Sequence, residues 1–290
     1  MKKYNLAEKI FIVAVYIILG LFALTTLYPF VYTLSMSLSS LKEAARVGLH
    51  LYPREISLTS YQMVLKNTAI YSAYGITLFR TIVGTIGALI ISTLYGYAIS
   101  RKELPCKKLF TSILVFTMIF SGGTVPIYLL IKNIGLLNNV FVYILPNLIG
   151  AYNVVILKSY FESIPESLYE SARIDGAHEW TIWAKIIMPI SKPVLATVAL
   201  WIIVFHWNQW MDCLLYIQDS KLFVLQRHLQ RIIEESNLVA AGEISPNIEN
   251  FSTETVTSAT IIVTILPILC VYPFIQKYFT TGIMLGSVKG

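Results

Sequence analysis

Long apolar runs without a charged side chain alternate along the chain with short charged segments. Within each run the apolar residues are continuous and do not alternate with polar ones, a pattern that favours membrane-spanning helices over the strands of a β-barrel. A hydrocarbon core about 30 Å thick needs roughly 20 helical residues to cross it. The runs therefore predict six spans, at about 10–34, 78–99, 109–131, 138–157, 193–216 and 255–277.

The composition also points to the membrane as solvent. Of the 290 residues, 56% are apolar and 13% are charged, and the mean hydropathy is +0.67. Ordinary globular chains carry about 25% charged residues. This deficit excludes a disordered protein, a nucleic-acid-binding arm and a water-soluble enzyme of usual composition, because too little charge is available to cover their surfaces. We expect an all-α membrane protein in which residues 1–290 form a single transmembrane domain.

The distribution of Lys and Arg predicts the topology. The first apolar run follows basic residues, as in a signal peptide, but it stays uncharged over 10–41 and is longer than an h-region of about 7–15 residues. An even number of spans places both termini on one side, and that side carries more Lys and Arg, most densely at 101–108. The positive-inside rule then predicts cytoplasmic N- and C-termini. Basic loops over anionic lipid account for the net charge of +6 without a nucleic-acid partner.

No pattern predicts a metal site or a catalytic centre. Cys106, Cys213 and Cys270 are odd in number and match no C-x-x-C spacing, and the four histidines lie on different predicted segments. The chain also lacks G-x-x-x-x-G-K-[ST], the loop that cradles nucleotide phosphates. We therefore expect no metal, cofactor or catalytic residue in this chain, and any ATP hydrolysis must come from another polypeptide.

The loop at 158–192 has its own helical signals. Ser163 is a candidate N-cap and Glu166, three residues on, completes a capping box. Gly176 is suited to the left-handed conformation that ends a helix. These signals predict a helix over about 164–175, outside the bilayer because it is rich in charge. The alternative is an amphipathic helix that lies on the lipid headgroups.

The segment ESARIDGAHEWTIWAKIIMP, residues 170–189, resembles the EAA signature of the membrane subunits of bacterial ATP-binding-cassette importers. Two positions depart mildly from it, since Ser171 replaces an Ala and Met188 replaces a Leu. The segment lies inside the predicted 158–192 loop, and importer subunits carry the signature in a loop of this kind. The matching residues are Glu170, Ala172, Gly176, Ile186 and Pro189.

Two further segments extend the resemblance over essentially the whole chain. The ending FTTGIMLGSVKG, from Phe279 to Gly290, is similar to the C-terminus of carbohydrate-importer permeases related to the second maltose-transporter subunit. Residues 206–233 are similar to oligosaccharide permeases of the kind named for lipoprotein-associated or polygalacturonan transport. Together these segments identify the chain as a member of the carbohydrate-uptake permeases.

The resemblance implies a type I importer permease in the bacterial cytoplasmic membrane, importing oligosaccharides. Its partners would be a second, usually different permease, two cytoplasmic ATPase subunits that bind ATP and Mg, and an external solute-binding protein that delivers sugar. The loop would act as the coupling helix, with ATPase-coupling residues Glu170, Ser171, Ala172, Asp175, Gly176, Ala177, Ile186 and Pro189. The C-terminal ATPase contact would comprise Gly282, Gly286, Lys289 and Gly290.

Polar residues inside the spans offer candidates for the substrate path. Sugars are bound by aromatic faces and amide hydrogen bonds, and Trp207, Asn208 and Trp210 supply both. The alternative for these residues is an aromatic belt at the membrane interface. We expect Arg80, near an end of its span, to extend its side chain to water. Gly122 and its neighbour Gly123 are expected to break the third span.

Two functions of other classes stay open on the sequence. A secondary transporter driven by an ion gradient would normally have more spans, internal repeats and intramembrane carboxylates. The chain has six predicted spans, no evident repeat and one candidate carboxylate, Asp212. A membrane assembly subunit with no role in transport is the other alternative.

Overall fold

A computed structural model describes residues 5–46, 48–241 and 253–282. Within these ranges the structure is helical, and the only extended pairing is one bridge between Ser39 and Ile56. The α-helices are α1 (Leu6–Ser37), α2 (Leu41–Ala44), α3 (Thr59–Lys66), α4 (Thr68–Ser100), α5 (Lys107–Ile119), α6 (Thr124–Asn133), α7 (Ala151–Glu162), α8 (Glu166–Ile174), α9 (Glu179–Ile182), α10 (Met188–Ile190), α11 (Lys192–Asn208), α12 (Met211–Tyr216), α13 (Leu225–Ala240) and α14 (Thr253–Gly282).

Three helices in the described ranges are long and apolar enough to cross a membrane unbroken: Leu6–Ser37, Thr68–Ser100 and Thr253–Cys270. Three bent pairs meet the same criteria jointly, and the total reaches six only if each pair is one span. The pairs are α5 with α6, the 3-10 turns of Val140–Asn147 with α7, and Glu179–Ile190 with α11. The six-span count therefore stays a prediction.

Sequence and structure differ most in where the spans bend. The chain bends by 114° between α5 and α6, and Gly123 stands at the break with a φ of +88°. The expected glycine break is therefore confirmed, although the turn is far sharper than a kink within a straight span. The predicted span 193–216 also divides, because Gln209 adopts an extended conformation between α11 and α12.

The helix α4 begins ten residues before the predicted start at 78 and runs without interruption past Arg80. The expectation that Arg80 reaches water is wrong, since its side chain is fully buried. A charge can stay inside a helix bundle only when other groups satisfy it, and the groups that do so here are described below.

The chain divides into two compact units. One comprises residues up to Thr68 together with Leu229–Leu266, and the other comprises Ala69–His228 together with residues from Pro267 onward. In the first unit α1 starts with a capping box between Asn5 and Glu8. Most of α1 is apolar on all sides and exposed, as expected of a helix whose surroundings are lipid or another membrane subunit.

The second unit contains the predicted coupling loop. Its largest buried cluster joins α4, α7 and α11 to the helices of the loop, through residues such as Leu157, Phe161, Ile182 and Val198. A second cluster packs α6 and α12 around Val142 of the 3-10 segment. The loop helices are thus part of the core of this unit.

Candidate functional site

The helix α8 has one buried and one exposed face. Tyr169 and Ala172, three positions apart, are 2% and 6% exposed and belong to the core cluster of α7 and α11. The opposite face presents Glu170, Ser171 and Ile174 to solvent, and Ile174 is 86% exposed. An exposed aliphatic side chain beside a carboxylate offers a partner both an apolar and a charged contact. This face is the candidate docking surface, defined by those three residues and Ser167.

The start of α8 differs from the prediction. Helix α8 begins at Glu166 with Pro165 at the N-cap position, and no side chain caps it. Ser163 is instead the C-cap of α7, where its hydroxyl donates to the Tyr160 carbonyl at 2.6 Å. The hydroxyl bonds the helix that precedes it and cannot also cap the one that follows.

The end of α8 agrees with the prediction. Gly176 has a φ of +78°, in the left-handed region where a side chain is strained. Its N–H donates to the Arg173 carbonyl at 3.0 Å, and the Ala177 N–H donates to the Ala172 carbonyl at 2.9 Å. These two bonds form a Schellman motif, so the chain turns sharply directly after the docking surface.

A set of charged side chains, which we call the loop network, joins α8 to residues 101–107. Arg101 is buried, with its guanidinium carbon 3.9 Å from the centre of the Tyr169 ring. It also donates to Glu166 at 3.3 Å, while Lys107 pairs with Glu162 at 2.9 Å. Opposite charges on the two segments thus clamp the start of α8 to the end of α4.

The other end of α8 is held by Arg173. One guanidinium nitrogen donates to Glu103 at 2.8 Å and another donates to Glu179 at 2.9 Å. These hydrogen bonds, the one to Glu179 first, raise the pKa of Arg173. The hydrogen bond that Arg173 donates to Glu103 also lowers the pKa of Glu103. Glu179 also accepts a hydrogen bond from the Tyr97 hydroxyl, so the network reaches the cytoplasmic-facing end predicted for α4.

The predicted ATPase-coupling residues separate into two groups. Ala172, Ala177 and Ile186 are buried or partly buried and pack in the core cluster, so they position the loop. The others lie on the exposed surface: Glu170, Ser171, Asp175, Gly176 and Pro189. Of the predicted C-terminal contact, Gly282 is the last residue of α14, whereas Gly286, Lys289 and Gly290 lie outside the described residues.

A buried ion pair in the helical part of the second unit was missed by the sequence reasoning. Arg80 donates to both carboxylate oxygens of Asp212, at 3.2 and 2.6 Å, and to the Gln209 carbonyl at 2.9 Å. Its guanidinium carbon also lies 4.6 Å from the centre of the Tyr143 ring. Arg80 therefore satisfies the carbonyl that is released where α11 breaks. The sequence did contain a signal for this pair, because Arg80 and Asp212 are isolated opposite charges within apolar runs.

The predicted substrate-path residues do not share one cavity. Trp207 is buried and lines a mostly apolar cavity of about 400 Å³ with Thr81 and Thr85. Asn208 is exposed and donates to the Val204 carbonyl of its own helix at 2.9 Å. Trp210 is half-buried at the break between α11 and α12.

Comparison with known proteins places this geometry in context. Residues 107–284, which include the whole loop, match the family described as binding-protein-dependent transport system inner membrane component. The permease protein YtcP of the polygalacturonan/rhamnogalacturonan transport system of Bacillus subtilis (strain 168) is 37% identical over 98% of this chain and 99% of its own length. Protein LplC of the same organism is 35% identical over 98% of this chain and 96% of its own length.

A solved structure agrees in fold as well as sequence. The crystal structure of a bacterial ABC transporter involved in the import of the acidic polysaccharide alginate contains a chain that matches with a TM-score of 0.89 and 34% identity. The match covers 96% of this chain and 100% of that one. The chain therefore belongs to the binding-protein-dependent transport system inner membrane components, the non-catalytic permease subunits that work in the cytoplasmic membrane with a partner permease, an ATPase and a solute-binding protein.

Proposed function

We propose that this permease forms half of a translocation path for oligosaccharides and that α8 is its coupling helix to the ATPase. The observation that carries the proposal is the two-faced packing of α8. Tyr169 and Ala172 fix it to the core, while Glu170, which matches the importer signature, and the neighbouring Ser171 are exposed. A helix that is anchored on one face and exposed on the other can transmit a displacement from a docked partner to α4, α7 and α11.

The loop network supports the transmission role. Arg101 and Arg173 connect α8 to residues 101–103 through direct hydrogen bonds. Residues 101–107 and the loop must lie on the same side of the membrane to make these contacts, which supports the predicted topology of six spans with both termini cytoplasmic. An ATPase that binds ATP and Mg would then meet Glu170 and Ile174 from the cytoplasm.

The substrate class is inferred from the relatives. One is named for polygalacturonan and rhamnogalacturonan transport, and the matching structure imports alginate, an acidic polysaccharide. We infer that this chain imports oligosaccharides that contain uronate units. The assembly would pair it with a different permease and with two ATPase subunits, and its terminal segment around Gly286 and Lys289 would contact the ATPase. Trp207, Asn208 and Trp210 stay predicted path residues.

The proposal is tested with two substitutions at the docking surface and one matched control. Glu170→Lys reverses the exposed charge, and Gly176→Val forces a β-branched residue into the left-handed conformation. Gly135→Val is the control, because Gly135 has a φ of +74° and, like Gly176, no atom within 4 Å of an added Cβ. The strain is therefore matched, at about 1–2 kcal/mol, and only its location differs.

The measurements are co-purification of the ATPase with the complete transporter and uptake of radiolabelled trigalacturonate. Both loop variants should reach the membrane in normal amounts, retain less than a tenth of the ATPase and lose uptake. The Gly135→Val control should retain both. Full ATPase attachment and full uptake in both loop variants would leave α8 as a helix on the headgroups and would refute the coupling role.

A further inference from the structure

A cavity of about 290 Å³ lies between α11 and the break that precedes α7. It is close to the lower end of the roughly 300–1,000 Å³ typical of small-molecule sites. Such a volume suits one sugar ring rather than a chain. The wall contains no Lys, Arg, Asp or Glu among the described residues, so recognition would depend on neutral polar groups and ring faces.

Two carboxamides face this cavity. The side chain of Asn153, in the first turn of α7, is only partly exposed and makes no hydrogen bond with the described residues. A Cβ at Gly150 would stand 2.7 Å from its amide nitrogen, so glycine there leaves room for the carboxamide. Asn147 donates to the Tyr143 carbonyl at 3.5 Å, a long and weak bond. Both amides thus have capacity to bond a ligand.

Aromatic rings form the opposite wall. Trp201 and Phe205 are four residues apart on α11 and line the cavity together. The Trp201 ring centre is 5.6 Å from that of Tyr152, tilted by 40°, which restricts its rotation. A ring held in one orientation provides a flat apolar surface against which the C–H face of a pyranose can stack.

His206 completes the wall and is 1% exposed. Its Nε2 side is pressed against α4, since a Cβ at Gly84 would lie 2.5 Å from that nitrogen. Its Nδ1 has no hydrogen-bond partner among the described residues. An unsatisfied buried polar atom costs about 1–3 kcal/mol, and native structures contain few of them. His206 lines the same cavity as the two amides, so a ligand bound there would be the natural source of a partner for this nitrogen.

We propose that this cavity is a sugar-ring subsite of the translocation path, with Trp201 as the stacking surface and Asn153 as the hydroxyl-binding group. It deepens the proposed function and rests on it. The cavity lined by Trp207 is a weaker candidate, because no carboxamide lines it, although the hydroxyls of Thr81 and Thr85 in its wall also have no hydrogen-bond partner among the described residues. The stacking residue Trp201 precedes Trp207 by six residues on α11, and His206 of the subsite directly precedes Trp207.

The test uses the complete transporter in proteoliposomes with its solute-binding protein outside and ATP inside. Uptake of radiolabelled trigalacturonate and receptor-stimulated ATP hydrolysis are measured in parallel. Asn153→Leu keeps the side-chain volume and removes the hydrogen bonds, while Trp201→Leu removes the ring and Trp201→Phe keeps one. Asn133→Leu, at the exposed end of α6, is the amide control.

We expect Asn153→Leu and Trp201→Leu to lower uptake at least tenfold while assembly and receptor-stimulated hydrolysis persist. Trp201→Phe should retain at least a third of wild-type uptake, and Asn133→Leu should match wild type. Normal uptake in both leucine variants would overturn the subsite and leave the importer intact. Loss of assembly in both, or equal loss in Trp201→Phe and Trp201→Leu, would make these residues structural and overturn it too. A wild-type transporter that takes up no trigalacturonate would overturn the proposed substrate class, and the subsite with it.

Discussion

Arginine and carboxylate side chains pair in two regions of the second unit, with very different surroundings. Arg80 and Asp212 form the buried pair, in which the side chains are 0% and 8% exposed. In the loop network Arg173 pairs with Glu103 while both side chains are about half exposed, at 41% and 52%. The chemistry is the same, but water competes only in the second region.

The difference in solvent gives the two regions different roles. Removing one partner from a buried pair strands a charge and costs about 3–5 kcal/mol, whereas an exposed pair contributes about 0–1 kcal/mol. The buried pair therefore fixes the break between α11 and α12, where Arg80 also bonds the Gln209 carbonyl. Within the loop network, the exposed Arg173–Glu103 pair can break and re-form at small cost, which suits a segment that must move when its partner moves.

The largest expected effect is at the buried pair. Asp212→Asn removes the negative charge and leaves the buried Arg80 guanidinium with neutral partners, namely the amide oxygen of the new side chain, the Gln209 carbonyl and the Tyr143 ring. We therefore expect the free energy of unfolding to fall by about 3–5 kcal/mol. The measurement is thermal or SDS-induced unfolding of the purified permease. Asp175→Asn, at the exposed end of α8, is the matched control and should change stability by less than about 0.5 kcal/mol.

A double substitution sharpens this comparison. Arg80→Met combined with Asp212→Leu removes both charges and should recover most of the lost stability, because an apolar pair needs no desolvation of ions. If Asp212→Asn is no more destabilising than Asp175→Asn, the two regions do not differ in the way described.

The smaller effect is at the loop network. Glu103→Gln should lower stability by at most about 1 kcal/mol at neutral pH and low salt, and the difference should shrink at high salt. The pKa of Glu103 is lowered in the folded protein. The charge of Glu103 therefore contributes fully to folding stability at pH values above its pKa in the unfolded chain, about 4.3. It is lost as the pH falls through the folded pKa. Unfolding curves of both proteins between pH 7 and pH 3 should therefore converge at the acid end; a constant difference would exclude the charge as its source.

The sequence predicted features that depend on local properties. Long uncharged runs predicted α1, α4 and α14, and a glycine after an amphipathic stretch predicted the left-handed turn at Gly176. These features need only the residue types and their periodicity.

Features that depend on competition or on distant contacts were not predicted. Ser163 could cap either of two helices, and only the folded chain shows that it bonds α7. Arg80 and Asp212 are 132 residues apart, and each was considered alone. The helix α13 lies between the predicted spans 193–216 and 255–277, and its apolar residues recur at the helical spacing that identifies such a helix. The polar cavity at Asn153 was not predicted, because it forms only where two segments about 50 residues apart in the chain, 146–153 and 201–206, pack together.

The central claim is that the exposed face of α8 meets the ATPase. It is tested most directly by a photo-crosslinking amino acid placed at Ser171 or Ile174 on this face, in the complete transporter in native membranes. Leu129, exposed on α6, serves as the control position. The account predicts covalent adducts with the ATPase subunit from both α8 positions and none from Leu129. Adducts with lipid alone from both α8 positions, while the ATPase remains in the complex, would contradict it.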